Sequence, residues 1–146
     1  MKSNWNNPQE VLENYKATIS EIDVEGFLSS YSSDILIYDC WNNWKIEGIS
    51  QWRKVVTEWF EGLIKSDLSL DVEWKDLIME ESDHIAFTHG IVTYIEDTGE
   101  SMTLRLTLGF RKEKDSSWYI VHEHTSLPIH YEARESIFFL IVRQEK

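Results

Sequence analysis

The chain has 146 residues and a mass of 17.3 kDa, a single-domain length, so one core is expected across residues 1–146. Fourteen Lys plus Arg against 26 Asp plus Glu leave a net charge of −12, which repels phosphate backbones and anionic membranes and so excludes nucleic acid and membranes as expected partners. Cys40, the single cysteine, excludes a disulfide framework, and the absence of a basic-then-apolar leader or a long apolar run implies a cytoplasmic protein.

The first helix is marked by Asn7-Pro8-Gln9-Glu10, with Asn at the N-cap, Pro at the first helical position and Glu at the third. Apolar residues follow at Val11, Leu12, Tyr15, Ile19 and Ile22, one stripe at helical spacing. Asp23 ends that helix and caps a short second one that carries Phe27, Leu28 and Tyr31 inward. Ile35–Trp41 reads as a strand, and Asn42–Gly48 as a polar loop. Ser50 then caps a third helix, where Trp52, Val55, Val56, Trp59, Phe60 and Leu63 repeat at three and four.

After Ser66 the period changes to two. Leu68, Leu70, Val72 and Trp74 alternate with polar residues in a half-buried strand running toward Met79. His84–Glu96, Ser101–Lys112 and Trp118–Leu127 follow as strands, joined by the turns Asp97-Thr98-Gly99 and Lys114-Asp115-Ser116-Ser117. Two tight turns joining three long strands make an antiparallel meander, and with the strand before it a four-strand antiparallel sheet. Pro128 stops the last one, leaving residues 129–146 as a C-terminal extension whose apolar run Ile137–Val142 needs cover from the sheet or a partner subunit. Helices first and sheet after is an α+β plan: a strongly bent antiparallel sheet wrapped around N-terminal helices, a cone-shaped barrel with an internal pocket.

This order, with its residues, resembles the nuclear-transport-factor-two-like superfamily, the SnoaL-like or ketosteroid-isomerase-like cone, over about Pro8 to Pro128. The most telling segments are Asp23-Val24-Glu25-Gly26, Asp34-Ile35-Leu36-Ile37-Tyr38-Asp39 and Gly48. The ending Trp118-Tyr119-Ile120-Val121-His122-Glu123-His124-Thr125-Ser126-Leu127-Pro128 is similar to the finish of one SnoaL-like branch, shared in large part by the calmodulin-dependent kinase association domain. The cone hosts isomerases, dehydratases, cyclases, hydrolases and assembly domains, so the resemblance implies fold rather than activity. Against ketosteroid isomerase, Tyr15 matches the oxyanion-hole Tyr, eight residues before Asp23, and Asp39 matches the general base. Leu108 stands where the isomerase has its protonated Asp, and no nearby acid is expected to replace it.

Counting across the two turns brings His89 near Thr107, Ile91 near Arg105, Thr107 near His124 and Arg105 near Ser126, and a one-residue slip in a turn would part the histidines from Arg105. One face then carries His89, Thr103, Arg105, Thr107, His122, His124 and Ser126, and the other Leu104, Leu106 and Leu108. The isomerase alignment turns Leu108 inward; the SnoaL-like branch implies the polar set inward, and the polar set is the one expected to face the pocket. That facing makes Arg105 a donor to a carboxylate or enolate oxygen and His124 a base or acid. The bland alternatives are a structural bridge from Arg105 to Glu123 or Asp71 and, at His122, a satisfied histidine on a covered sheet face. His122 and His124 with His89 have the spacing of three metal ligands, yet no metal is expected.

The expected site therefore has Asp39, Tyr15, His124 and Arg105 as catalytic groups and Trp41, Trp59, His89, Thr107, His122 and Ser126 against the ligand. The expected function is binding a small, mostly apolar molecule, with isomerase- or dehydratase-like acid–base chemistry on it, in a homodimer and without a cofactor. The alternative is a non-enzymatic binding or association module of the same fold.

Overall fold

Asn7 opens α1 (Pro8–Glu21) as its position implies, its side chain accepting from the Glu10 backbone N–H at 2.9 Å. The structure, a computed structural model, describes residues 4–137. Ile22 turns left-handed at φ 55°, and Asp23 caps α2 (Val24–Leu28) by accepting from the Gly26 N–H at 3.0 Å. The cap expected at Ser50 does not form. Helix α3 (Gly48–Lys65) is capped three residues earlier, at Glu47, with no side-chain capping bond. Gly48 has φ 83°, a left-handed start that costs glycine little.

Six strands form one sheet: β1 (Tyr31–Tyr38), β2 (Ile46–Glu47), β3 (Leu70–Glu81), β4 (Ile85–Glu96), β5 (Ser101–Lys112) and β6 (Trp118–Ser126). Their order is β2-β1-β6-β5-β4-β3. The expected four-strand sheet is β3 to β6, all antiparallel. Beyond it, β1 adds to β6 in parallel and the two-residue β2 caps the edge, so the sheet is mixed and unclosed, a correction to the four-strand antiparallel plan. The missed pairing joins segments more than eighty residues apart, Leu36 opposite His122 and Tyr38 opposite His124, where no turn announces it. Strand β1 also starts at Tyr31 rather than Ile35, because Tyr31 pairs with Ile120 before the register shifts across its polar Ser32-Ser33-Asp34.

Two bulges decide which side chains face the helices. In β3 the register breaks between Lys75 and Ile78, so Val72 and Trp74 face inward before it and Leu77 and Met79 after it. Gly90 of β4 lies against this kink, and a Cβ there would come within 3.1 Å of the Leu77 Cα and the Lys75 carbonyl. In β6, Phe110 pairs with Ile120 and Gly109 with His122, leaving Val121 without a counterpart. Trp118 and Ile120 therefore point inward before the bulge, and Glu123 and Thr125 after it.

Beneath the sheet, Phe27 is fully buried among the rings of Tyr15, Tyr31, Trp52, Trp59 and Phe60, with centroids 5.2–6.4 Å away. Beyond β6, Ile129 bridges to Ser136 and the Ile137 N–H donates to the Pro128 carbonyl. The rest of the Ile137–Val142 run lies outside the described residues. Among the described residues, no helix is long and apolar enough to cross a membrane.

Candidate functional site

A cavity of about 850 Å³ opens between α3, α1 and the concave face of the sheet. Phe27, Tyr15 and, from α3, Trp52 and Trp59 line it. Tyr94, Met102 and Leu104 of the sheet line it too, and the Tyr94 ring meets that of Trp59 nearly at a right angle. Residues of the loop after β1, Trp41 to Asn43, stand at the mouth with Glu58, Glu96 and Glu100.

Away from the three glutamates of the mouth, the lining carries four titratable groups: Glu123, Asp39, Tyr15 and Tyr94. Glu123, 4% exposed, accepts a hydrogen bond from the Tyr31 hydroxyl at 2.5 Å. Burial pushes its carboxyl up to about 7; the Tyr31 bond opposes that rise and the Asp39 charge adds to it. Glu123 thus changes protonation near neutrality. Burial also raises the carboxyl of Asp39, against hydrogen bonds from the Trp41 and Cys40 backbone and the Thr125 hydroxyl. Asp39 Oδ1 accepts from the Trp41 N–H at 3.2 Å and from the Thr125 hydroxyl at 3.4 Å.

Tyr15 and Tyr94 face each other with hydroxyl oxygens 2.6 Å apart. Burial, followed for Tyr15 by the Tyr94 and Glu123 charges, raises both phenols well above their ordinary value, so both stay protonated. Whichever hydroxyl donates within the pair, the other keeps its proton for a further acceptor. Two carboxyls and a phenol pair around one open space can take a proton from one ligand atom and hydrogen-bond another.

Of the expected site residues, Tyr15, Asp39, Trp41 and Trp59 line this cavity. The rest do not, although every cross-strand pair counted from the turns is present: His89 with Thr107, Ile91 with Arg105, Thr107 with His124, and Arg105 with Ser126. The register is as counted; the facing is reversed. Leu104, Leu106 and Leu108 take the inner face, where their burial is favourable, and force Arg105, Thr107, His89 and His124 onto the outer one. Arg105 bridges to neither Glu123 nor Asp71 but donates through Nε to the Ser126 hydroxyl at 3.0 Å. His122 Nδ1 lies 2.8 Å from the Leu36 carbonyl oxygen, and its ring and that of His124 pack on the edge of Tyr38. Among the described residues, no group of three or more His, Cys, Asp or Glu side chains is arranged to hold a metal.

Sequence reasoning missed Glu123, Tyr31 and Tyr94. The signal for Glu123 was present, since it pairs directly with Leu108 and so shares whichever face the leucines take. It also corrects the expectation that no acid stands near the position of the isomerase's missing Asp: Glu123 is the cross-strand neighbour of Leu108 and couples to Tyr15.

Residues 9–130 match the model of the SnoaL-like domain. The chain belongs to the SnoaL-like family. No curated protein matches the chain. This SnoaL-like domain is similar in fold to an NTF2-like protein of unknown function from Pseudomonas putida KT2440, at 21% identity and a TM-score of 0.81, covering 91% of this chain and 92% of that one. A candidate ketosteroid isomerase from Parabacteroides distasonis ATCC 8503 aligns at 18% identity and a TM-score of 0.68, covering 86% and 96%. An NTF2-like protein with a cystatin-like fold from Novosphingobium aromaticivorans gives 11% and 0.69, covering 87% and 83%. At these identities the likeness is one of fold, the cone that the order of elements implied.

Proposed function

We propose that the cavity binds a small, largely apolar carbonyl compound and moves a proton next to its carbonyl group, an isomerase-like reaction. Ionised Asp39 takes the proton from carbon. Protonated Glu123 and the Tyr15–Tyr94 pair hydrogen-bond the oxygen on which negative charge develops. The observation that carries this reading is the buried Glu123 carboxyl, poised at about 7 beside Tyr15 on the wall of an open cavity. Two carboxyls held in different environments can divide the roles of base and acid.

The test is exchange of the α-protons of cyclohexenone and of 4-tert-butylacetophenone into D2O, followed by NMR. The expected rate exceeds that of buffer, falls as pH rises through about 7, and drops at least about 100-fold in Asp39→Asn. Exchange no faster than buffer, or unchanged in the variant, overturns the proposal.

We also propose that the outer sheet face joins two copies of the chain. Tyr38, Ile78, Ile85 and Phe87 are 40–55% exposed there. Arg105, His89, His122 and His124 share that face, and the middle of it carries no carboxylate in a chain with 26. Sedimentation of the whole chain should give a dimer that Phe87→Asp converts to monomer; a wild-type monomer overturns the assembly.

A further inference from the structure

We infer that the molecule this cavity takes is a cation: an apolar carbonyl compound whose outer end bears a basic or quaternary nitrogen. The inference rests on the cavity being the binding site proposed above and names the class of compound that site selects.

Buried Glu123 and half-buried Asp39 line the cavity, and Glu58, Glu96 and Glu100 its mouth, whereas among the described residues no Lys, Arg or His lines it at all. Several of the chain's cations are paired elsewhere: Arg53 with Glu25, Lys45 with Glu47, and Arg111 with both Asp34 and Glu113. Arg105, expected to meet a ligand oxygen, lies on the opposite face of the sheet against Ser126. Among the described residues no mouth carboxylate is paired with a Lys or Arg.

An anionic ligand entering this space loses its hydration and meets only like charge. A neutral one gains the burial of its apolar surface and nothing from the charges. A cation gains twice. The mouth carboxylates and the overall charge of −12 concentrate it at the opening, and the π-faces of the aromatic walls suit an ammonium group. Trp59 and Tyr94 supply such walls, with rings 6.2 Å apart and near perpendicular. The carbonyl end then reaches Tyr15 and Glu123 while the nitrogen stays between the aromatic walls and the acidic mouth, so the charge lies away from the reacting carbon.

The experiment compares two compounds of the same shape, 4-acetylphenyltrimethylammonium and neutral 4-tert-butylacetophenone, by calorimetric titration of the whole chain at low salt. The expected result is binding of the cation about tenfold tighter than of the neutral compound. In the triple variant Glu58→Gln, Glu96→Gln, Glu100→Gln, the preference should fall to less than about threefold. Circular dichroism checks that the variant folds, and the wild-type comparison stands alone if it does not. Equal or tighter binding of the neutral compound overturns the cationic class and leaves the carbonyl-binding cavity standing. A preference undiminished in a folded triple variant places the ammonium away from the mouth and also overturns the inference. If neither compound binds, the inference and the reading of the cavity fall together.

Discussion

The Tyr31 hydroxyl donates to Oε1 of Glu123 across 92 residues of sequence, at 2.5 Å, and joins the start of β1 to the middle of β6. Tyr31 sits there because the Asp23 cap ends α1 and α2 and the following turn deliver it to the sheet beside Ile120. Glu123 sits there because the bulge at Val121 turns it inward. The pair therefore records how the chain is folded as well as how the cavity is charged.

Glu123 makes stability depend on pH in a defined direction. Its folded carboxyl titrates at about 7, above the 4.5 of an ordinary glutamate, so the folded chain holds a proton that the unfolded chain releases. Stability is greatest below about 4.5 on this account and is lost as pH rises to about 7, with no further loss above. The loss is on the order of 3 kcal/mol. Asp39, also raised by burial, acts with the same sign. Urea unfolding at pH 5 and pH 8 measures it, and Glu123→Gln, which still accepts from Tyr31, should remove most of the slope and be more stable than wild type at pH 8.

Tyr31→Phe deletes the one hydrogen bond that favours the ionised Glu123. The carboxyl should then titrate above its wild-type value, visible in the ¹³C shift of its side-chain carboxyl carbon. A cost of about 1–3 kcal/mol at pH 8 should accompany it, since the carboxylate loses its donor.

Gly90→Ala should destabilise by about 1–3 kcal/mol. The new methyl meets backbone at 3.1 Å on the kinked stretch of β3, and neither the Leu77 Cα nor the Lys75 carbonyl can swing away. Thermal unfolding would register a lower midpoint, and no change would mean that the β3 kink relaxes freely. Gly62 provides the contrast: nothing lies within 4 Å of the position a Cβ would take there, so Gly62→Ala should be neutral or stabilising.

Phe27→Ala removes the ring at the centre of five others and should cost about 3–5 kcal/mol. Because Phe27 also lines the cavity, the space left merges with it. A variant that still folds should accept a bulkier ligand, a change readable by the same calorimetric titration.

Legibility in the sequence followed the range of the signal. Asn7 and Asp23 announced the caps of α1 and α2 through local chemistry, and the turns Asp97–Gly99 and Lys114–Ser117 brought together the strand partners that the sheet pairs. The parallel pairing of β1 with β6 has no local signal, and neither does the bulge that leaves Val121 unpaired. Asp39 was readable as a cavity residue because an acid stood in an otherwise apolar strand, whereas Tyr15, on the apolar stripe of α1, was marked only by its spacing from Asp23 in the isomerase resemblance. Glu123 was obscured by the histidines on either side, whose chemistry drew attention to the face that burial of Leu104, Leu106 and Leu108 turned outward. Counting gave the partners; apolar area chose the side.

Val121 gives β6 two latent interiors. Before it the even-numbered residues look inward, and after it the odd-numbered ones, so the strand shows the cavity an acid and a hydroxyl, Glu123 and Thr125. Were the same residues drawn out in unbroken alternation, two imidazoles, His122 and His124, would occupy that space instead. Deleting Val121 would not make that exchange: it joins Ile120 to His122 opposite the adjacent Phe110 and Gly109, and every later residue keeps its partner and its face. The surplus residue is thus a phase shifter between two chemistries already written in the strand. On this scaffold, a carboxyl-based or a histidine-based interior is selected by where one residue of slack is taken up, with no change of side chain.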